Sequence, residues 1–300
     1  MANSPLFTGI MTALVTPFHK DGSVDFDSYK KLIDAQLEAG VDGLVPCGTT
    51  GEASTLSVAE QLEVIRTCVL HVDGRVPIIA GAGANDTKVA VERTRQVMEC
   101  GVDAVLQVTP WYNKPTQEGL FQHFAAIAAT GAKVVLYNVP GRTSVDLLPE
   151  TAERLADAFE NIVAIKEATG SITRAQDLLC RLADKRPDFA VLSGEDTFIL
   201  GLLAIGGHGV ISVVSHLCAA ELCEMRDAFF AHDLVKAQAI SRKISLLQPT
   251  LFFRANPIPT KFALKERGVI AHDGVRLPLV PLPDEDESWL KADLIEKGWL

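Results

Sequence analysis

A short β-rich run followed by a longer amphipathic segment recurs about eight times before residue 232, and this alternation restricts the fold more than any other feature. The strand candidates are Ile10–Val15, Gly43–Pro46, Pro77–Ala80, Ala104–Thr109, Val134–Asn138, Ile162–Lys166, Phe189–Ser193 and Gly209–Val213. Helical patterns cover Asp25–Ala39, Ser57–His71, Thr87–Glu99, Gln117–Ala129, Pro149–Phe159, Thr173–Leu182 and Ala219–Ala231. In the first, Tyr29, Leu32, Ile33 and Leu37 fall near one face, and in the second Ser57 and Glu60 form a capping-box signature. Strand–helix alternation implies parallel strands joined by helical crossovers. Repeated about eight times, it predicts a (β/α)8 barrel of the TIM type. The rival is a doubly wound open sheet, which carries a glycine-rich phosphate turn after its first strand. Here that position holds Thr16-Pro-Phe-His-Lys-Asp-Gly22, and Gly81-Ala-Gly-Ala84 after the third strand lacks the rest of the fingerprint.

Beyond residue 232 the alternation stops. Leu234–Leu247, Pro257–Arg267 and Glu285–Lys297 read as helices, with a proline-stiffened connection over Leu277–Pro283. The expected organisation is a catalytic barrel over 1–232 and a small C-terminal helical appendage over 233–300.

The net charge of -10 gives no basic face for nucleic acid or anionic lipid. No apolar stretch reaches membrane-spanning length. Met1–Pro5 has neither a basic flank nor an apolar core, so no export signal is expected. The six cysteines contain no CxxC pair and no evident disulfide framework. A reducing cytoplasm is the expected compartment.

In a barrel of this kind function sits at the C-terminal ends of the strands. Lys166 ends the almost wholly apolar run Asn161-Ile-Val-Ala-Ile-Lys166. Burial disfavours an ammonium, and a neutral amine is the nucleophile that Schiff-base chemistry requires. The alternative is a strand-end lysine that reaches water or pairs with Glu167. Strand two delivers Gly48-Thr-Thr-Gly-Glu52, whose backbone N–H groups and two hydroxyls, Thr49 and Thr50, suit a carboxylate; a cap for the next helix is the competing role. Two of the three tyrosines, Tyr112 and Tyr137, fall at the ends of strands four and five, where a partly buried phenol can shuttle protons or simply pack. Arg142 follows a Pro-Gly turn and could clamp a carboxylate, or lie on the surface. The seven histidines show no HxH or HExxH spacing, and no GxSxG elbow is present, so neither a histidine metal site nor a serine hydrolase is expected. Cys47 and Ser193-Gly-Glu-Asp196 have simpler packing and turn roles.

Together, Gly48-Thr-Thr-Gly-Glu52, Tyr137-Asn-Val-Pro-Gly-Arg142, Ile165-Lys-Glu-Ala-Thr-Gly170, Gly206-Gly-His-Gly-Val-Ile-Ser212 and Asn256-Pro-Ile-Pro259 resemble the dihydrodipicolinate synthase and N-acetylneuraminate lyase superfamily of Schiff-base aldolases. The match covers nearly the whole chain. The paired threonines and Arg142 are similar to the dihydrodipicolinate synthase branch, whereas the lyases usually carry Ser-Thr and lack the arginine. The resemblance implies condensation of pyruvate with L-aspartate 4-semialdehyde on the route to diaminopimelate and lysine. It implies that Lys166 attacks the pyruvate ketone, that Thr49 and Thr50 hold its carboxylate, and that Tyr137 moves protons through Thr49 to a Tyr112 reaching across a subunit interface. Arg142 is expected to meet the aldehyde's carboxylate, with Gly194 and Ile211 lining the pocket. A homotetramer of tight dimers is implied, with neither cofactor nor metal, since the imine itself is the electron sink.

Two readings compete with this one: a pyruvate aldolase or dehydratase for sugar acids, and a non-catalytic barrel that only binds ligand. Arg142 argues against the first, and the intact Lys166, Tyr137, Thr49 and Tyr112 against the second. At the cleft where lysine inhibits some relatives, Asn85 matches, but Val58, Gln61, Val89 and Trp111 replace the expected histidines, glutamate and tyrosine. Weak or absent inhibition by lysine is therefore expected.

Overall fold

The computed structural model describes residues 4–300. Met1–Asn3, which begin the stretch read for an export signal, lie outside the described residues. The elements run β1 Gly9–Ala13, α1 Phe26–Glu38, β2 Gly43–Val45, α2 Val58–Val72, β3 Ile79–Gly81, α3 Thr87–Met98, β4 Ala104–Val108, α4 Gln117–Ala128, β5 Val134–Asn138, α5 Pro140–Thr143 and α6 Pro149–Ala158. They continue β6 Ile162–Glu167, α7 Ile172–Leu182, β7 Ala190–Ser193, α8 Ile199–Ala204, β8 Gly209–Ser212 and α9 Ser215–Phe230. Four helices close the chain: α10 Leu234–Ser245, α11 Leu247–Leu251, α12 Ile258–Glu266 and α13 Asp284–Glu296. Eight strands, each paired in parallel and alternating with helices, make the (β/α)8 class that the sequence pattern predicts.

The strands are nearly continuous apolar runs because parallel strands are covered on both faces. The polar exceptions gather at their C-terminal ends: Asn138, Lys166, Glu167, Ser193 and Ser212 are all buried there. Helix starts follow local chemistry. Ser57 and Glu60 form the expected capping box, and Asp25, Asp86, Thr116, Ser171 and Asp233 each accept a backbone N–H in the first turn of their helix.

Four helices differ from the sequence expectation, one of them α11, a separate short helix at Leu247–Leu251 where the sequence pattern ends a helix at Leu247. The one-turn helix α5 opens on Pro140 and contains Gly141, so in sequence it reads as a turn. Helix α8 is a short, uniformly apolar segment, Ile199-Leu-Gly-Leu-Leu-Ala204, with no amphipathic period to reveal it. Helix α9 begins at Ser215 rather than Ala219 and is kinked at Cys218, where φ is -139 and ψ is 34.

The chain forms two compact units. One takes residues 4–9 together with Pro77–Ile211. Its strands lie side by side in the order β3-β4-β5-β6-β7-β8, all parallel. Val105, Val135, Leu136, Ile165 and Leu192 from the sheet and Leu120, Phe124, Leu155 and Leu178 from the helices are buried in it. Full burial of each such side chain is worth about 1.5–3 kcal/mol. The other unit takes Ile10–Val76 and Ser212–Leu300. It pairs β1 with β2, Met11 opposite Gly43, and buries Leu32, Ile33, Leu44, Ile65, Leu222, Phe262, Leu264, Leu290 and Leu294. Its His216 is a fixed internal strut: Nδ1 donates to the Val213 carbonyl at 2.8 Å, and Nε2 accepts the Val15 N–H at 3.2 Å. Burial pushes this imidazole down to about 4.

Among the described residues no two cysteines form a disulfide, and every cysteine but Cys180 is buried. Burial raises the Cys68 thiol to about 12 and that of Cys223 to about 11, so both stay protonated. No helix among the described residues is long and apolar enough to cross a membrane.

Candidate active site

Strand alternation sends Lys166 and Glu167 to opposite faces of β6. Glu167 is fully engaged on its own side. It accepts from Arg174 Nε at 3.0 Å, Asn138 Nδ2 at 3.1 Å and the Thr169 N–H at 2.7 Å. Arg174 also grips Asp146 through both terminal nitrogens at 3.0 and 2.9 Å, and Asn138 joins Asp146 at 2.8 Å. A buried ion pair needs this degree of satisfaction to persist. The pairing of Lys166 with Glu167, open on sequence grounds, is therefore absent.

Lys166 is 6% exposed, and among the described residues its amine makes no ion pair or hydrogen bond. Tyr137 stands opposite it in the β5–β6 register, and Lys166 Nζ lies 4.5 Å from the centre of the phenol ring. Gly194 follows β7 on the other side. A Cβ there would meet Ala168 Cβ at 2.5 Å and Lys166 Cε at 3.0 Å, so the missing side chain is the room in which the lysine lies. A stepped ladder aligns the strand ends: Thr109 N–H to Tyr137 O at 3.0 Å, Ala168 N–H to Asn138 O at 2.9 Å and Gly194 N–H to Glu167 O at 2.7 Å.

The remaining expected residues of this unit are placed differently. Arg142 rides exposed on α5, and its guanidinium has no ion pair among the described residues. Tyr112 is 89% exposed on the loop after β4 and holds a left-handed φ of 75, strained for a tyrosine. The flanking residues are tied back, with Asn85 Nδ2 donating to Trp111 O at 3.2 Å and Asn113 Nδ2 to Asn85 O at 2.8 Å. Ile211 is buried within β8. Ser193 and Glu195 close a serine turn, Oγ accepting the Glu195 N–H at 2.9 Å, which is the turn role expected of that segment.

In the other unit Thr49 and Thr50 occupy a tight turn after β2. Gly51 N–H bonds Gly48 O, and Glu52 N–H bonds Thr49 O, both at 3.1 Å. Thr49 is exposed and Thr50 is buried. Cys47 and Glu52, at the two ends, take left-handed φ values of 54 and 53. Thr16 Oγ1 donates to Gly51 O at 2.7 Å. Glu52 accepts Lys261 Nζ at 2.5 Å on one oxygen and the Arg276 N–H at 3.0 Å on the other. Lys261 is fully buried, caps Gly274 O at 2.7 Å, and lies 4.1 Å from the centre of the Phe18 ring. Burial lowers its amine to about 8, against the pull of Glu52. Asn256 Nδ2 donates to Thr50 Oγ1 at 2.8 Å. Cys47 is buried, with its thiol turned to Gln61 O, which fits packing rather than nucleophilic use.

Sequence reasoning missed Glu52, Asn256 and Lys261 as supports of the threonine turn, and Asn138, Asp146 and Arg174 as those of the lysine strand. A charge inside an apolar run was the available signal for Lys261, which sits in Ile258-Pro-Thr-Lys-Phe-Ala-Leu264. Among the described residues no group of three or more His, Cys, Asp or Glu is placed to hold a metal ion.

The sequence pattern of the dihydrodipicolinate synthetase family matches residues 6–297. The 4-hydroxy-tetrahydrodipicolinate synthase of Maridesulfovibrio salexigens is 48% identical over 294 residues, 97% of this chain and 99% of that protein. The crystal structure of dihydrodipicolinate synthase from Thermotoga maritima, 42% identical, superimposes with a TM-score of 0.94 over 98% of this chain and 100% of its own. The chloride-inhibited dihydrodipicolinate synthase of Acinetobacter baumannii, solved with pyruvate, is 44% identical, with a TM-score of 0.92 over 98% and 99%. A family pattern matches the chain almost end to end, and relatives of full length share nearly half its residues: the chain belongs to the dihydrodipicolinate synthetase family.

Proposed function

We propose that Lys166 is the nucleophile of the 4-hydroxy-tetrahydrodipicolinate synthase reaction that this chain catalyses. The observation that carries the assignment is a buried lysine with no ion-pair partner, its neighbouring glutamate committed elsewhere and a phenol against its amine. The amine adds to the C2 ketone of pyruvate and expels water to give an imine. Loss of a C3 proton gives the enamine, whose C3 attacks the aldehyde carbon of L-aspartate 4-semialdehyde. The amino group of that substrate then attacks the imine carbon, closes the ring and releases the Lys166 amine. The imine is the electron sink, so the scheme uses no metal or organic cofactor.

In this scheme Thr49 and Thr50 hold the pyruvate carboxylate, Gly194 and Ile211 line its pocket, and Tyr137 transfers protons at the reacting carbons. Arg142, exposed and unpaired, receives the carboxylate of the aldehyde. Tyr112 completes the relay from a second copy of the chain within a homotetramer built from dimers. Its exposure and held backbone strain support that role, since a strained residue persists only where its surroundings impose it. The compartment we propose is the cytoplasm. The relatives bear the synthase name rather than that of a sugar-acid aldolase, which disfavours the first rival. The test is turnover with pyruvate and aspartate semialdehyde, together with borohydride trapping of pyruvate. An adduct on wild type that Lys166→Ala abolishes supports the scheme; no adduct on wild type sinks it and revives a binding-only barrel.

A further inference from the structure

The Thr50 hydroxyl can accept two hydrogen bonds and donate one. Asn256, 7% exposed and just ahead of α12, donates its amide Nδ2 to Thr50 Oγ1 at 2.8 Å. Its Oδ1 is buried without a partner. One acceptor position of Thr50 is thus filled from the protein, and among the described residues the hydroxyl proton is given to nothing. The backbone of the turn does not depend on this bond. Thr16 holds Gly51 O, and the Lys261–Glu52 pair holds its far end. Removing Asn256 therefore frees the direction of one hydroxyl without releasing the loop.

We propose that Asn256 is a positioning residue that orients the Thr50 hydroxyl as a donor toward the pyruvate carboxylate. The inference rests on the reading of Thr50 as a carboxylate-binding residue. An amide fits the task because it is neutral and offers a donor. A carboxylate at the same place accepts only, draws the Thr50 proton to itself and repels an anionic substrate. The unpartnered Oδ1 is the cost of that polarity, since a buried acceptor left open is unfavourable.

The experiment compares wild type, Asn256→Ala, Asn256→Asp, Thr50→Val and the Asn256→Ala/Thr50→Val double variant, each checked by thermal melting. Two quantities are read: the pyruvate concentration giving half-maximal borohydride trapping, and KM for each substrate against kcat. Loss of one oriented hydrogen bond predicts that Asn256→Ala raises the pyruvate values about tenfold. The KM for the aldehyde and kcat should move much less. Asn256→Asp should be worse than Asn256→Ala and, being the same shape, answers the question even if the alanine variant does not fold. In the Thr50→Val background Asn256→Ala should add nothing, because no hydroxyl remains to orient. Wild-type pyruvate affinity in the Asn256 variants, or the same factor appearing in the Thr50→Val background, overturns the proposal while leaving Thr50 its role. Unchanged pyruvate affinity in Thr50→Val overturns the role of Thr50 itself, and this inference with it.

Discussion

The Lys166 amine lies 4.5 Å from the centre of the Tyr137 ring, and the two residues stand opposite each other on neighbouring parallel strands. That register makes the pair a property of the β5–β6 ladder rather than of a loop. Such a scaffold holds geometry better than a mobile segment does. Tyr137→Phe keeps the ring and removes the proton. It should lower kcat by about 100-fold, the usual scale for a positioned acid–base group. Borohydride trapping with pyruvate should survive at a reduced rate. Turnover within twofold of wild type would reject Tyr137 as the proton carrier.

Gly194→Ala tests whether the space beside the lysine is required. The new Cβ would sit 2.5 Å from Ala168 Cβ and 3.0 Å from Lys166 Cε. Overpacking of this kind costs about 1–3 kcal/mol, and the movable partner here is the lysine side chain. The expected result is a modest fall in melting temperature with a larger fall in the rate of pyruvate trapping. A fully active Gly194→Ala enzyme would show that Lys166 works from a different rotamer.

Arg174, on α7, ties Glu167 at the end of β6 to Asp146 in the segment between α5 and α6. Its removal leaves the buried Glu167 carboxylate without its cation. Breaking one side of a buried pair costs about 3–5 kcal/mol. Arg174→Ala should therefore destabilise the unit by that order in urea unfolding, and Glu167→Gln in the same background should recover part of the loss. No recovery would mean that the arginine acts through packing alone.

The eight strands and the buried Lys166 were legible because each leaves a local mark: an apolar run of strand length, and a charge at the end of one. Helix α8 left none, since a short segment apolar on every side has no period. The supports of the threonine turn were hidden for another reason. Thr50 and Asn256, or Glu52 and Lys261, are separated by most of the chain, and nothing local says that they meet. A buried Glu–Lys pair also looks in sequence like two surface charges. Arg142, Tyr112, Ile211 and Gly194 are expected from motif order alone; of these, Gly194 has a steric reason visible at the lysine.

Lysine inhibition should be weak or absent. Asn85, the one position that matches inhibited relatives, already donates its amide to Trp111 O. Val58 and Val89 are both 45% exposed and offer a ligand ammonium no charge, while Gln61 is buried. Activity titrated with L-lysine should stay near its starting value through the millimolar range. Strong inhibition below one millimolar would require an acidic partner elsewhere.

Stability should fall as the solution is acidified well before the carboxylates titrate. Burial lowers His216 to about 4 and His123 to about 4, from an ordinary 6.5. Above pH 6.5 both states carry neutral imidazoles and nothing is lost. Between 6.5 and about 4 the unfolded chain binds protons that the folded chain refuses, so unfolding becomes easier. For His216 alone the full difference is about 3 kcal/mol. Below about 4 both states are protonated and this contribution stops changing. Glu60 acts in a lower window: the Arg276 hydrogen bond holds it at about 2, so its stabilisation is present above 4.5 and lost as pH falls towards 2. Urea unfolding at fixed protein concentration should show the histidine slope from pH 6.5 to 4. His123→Asn and His216→Gln should each flatten it, whatever they do to stability at neutral pH. An unchanged slope in both variants would mean that neither buried imidazole sets the acid limit of the fold.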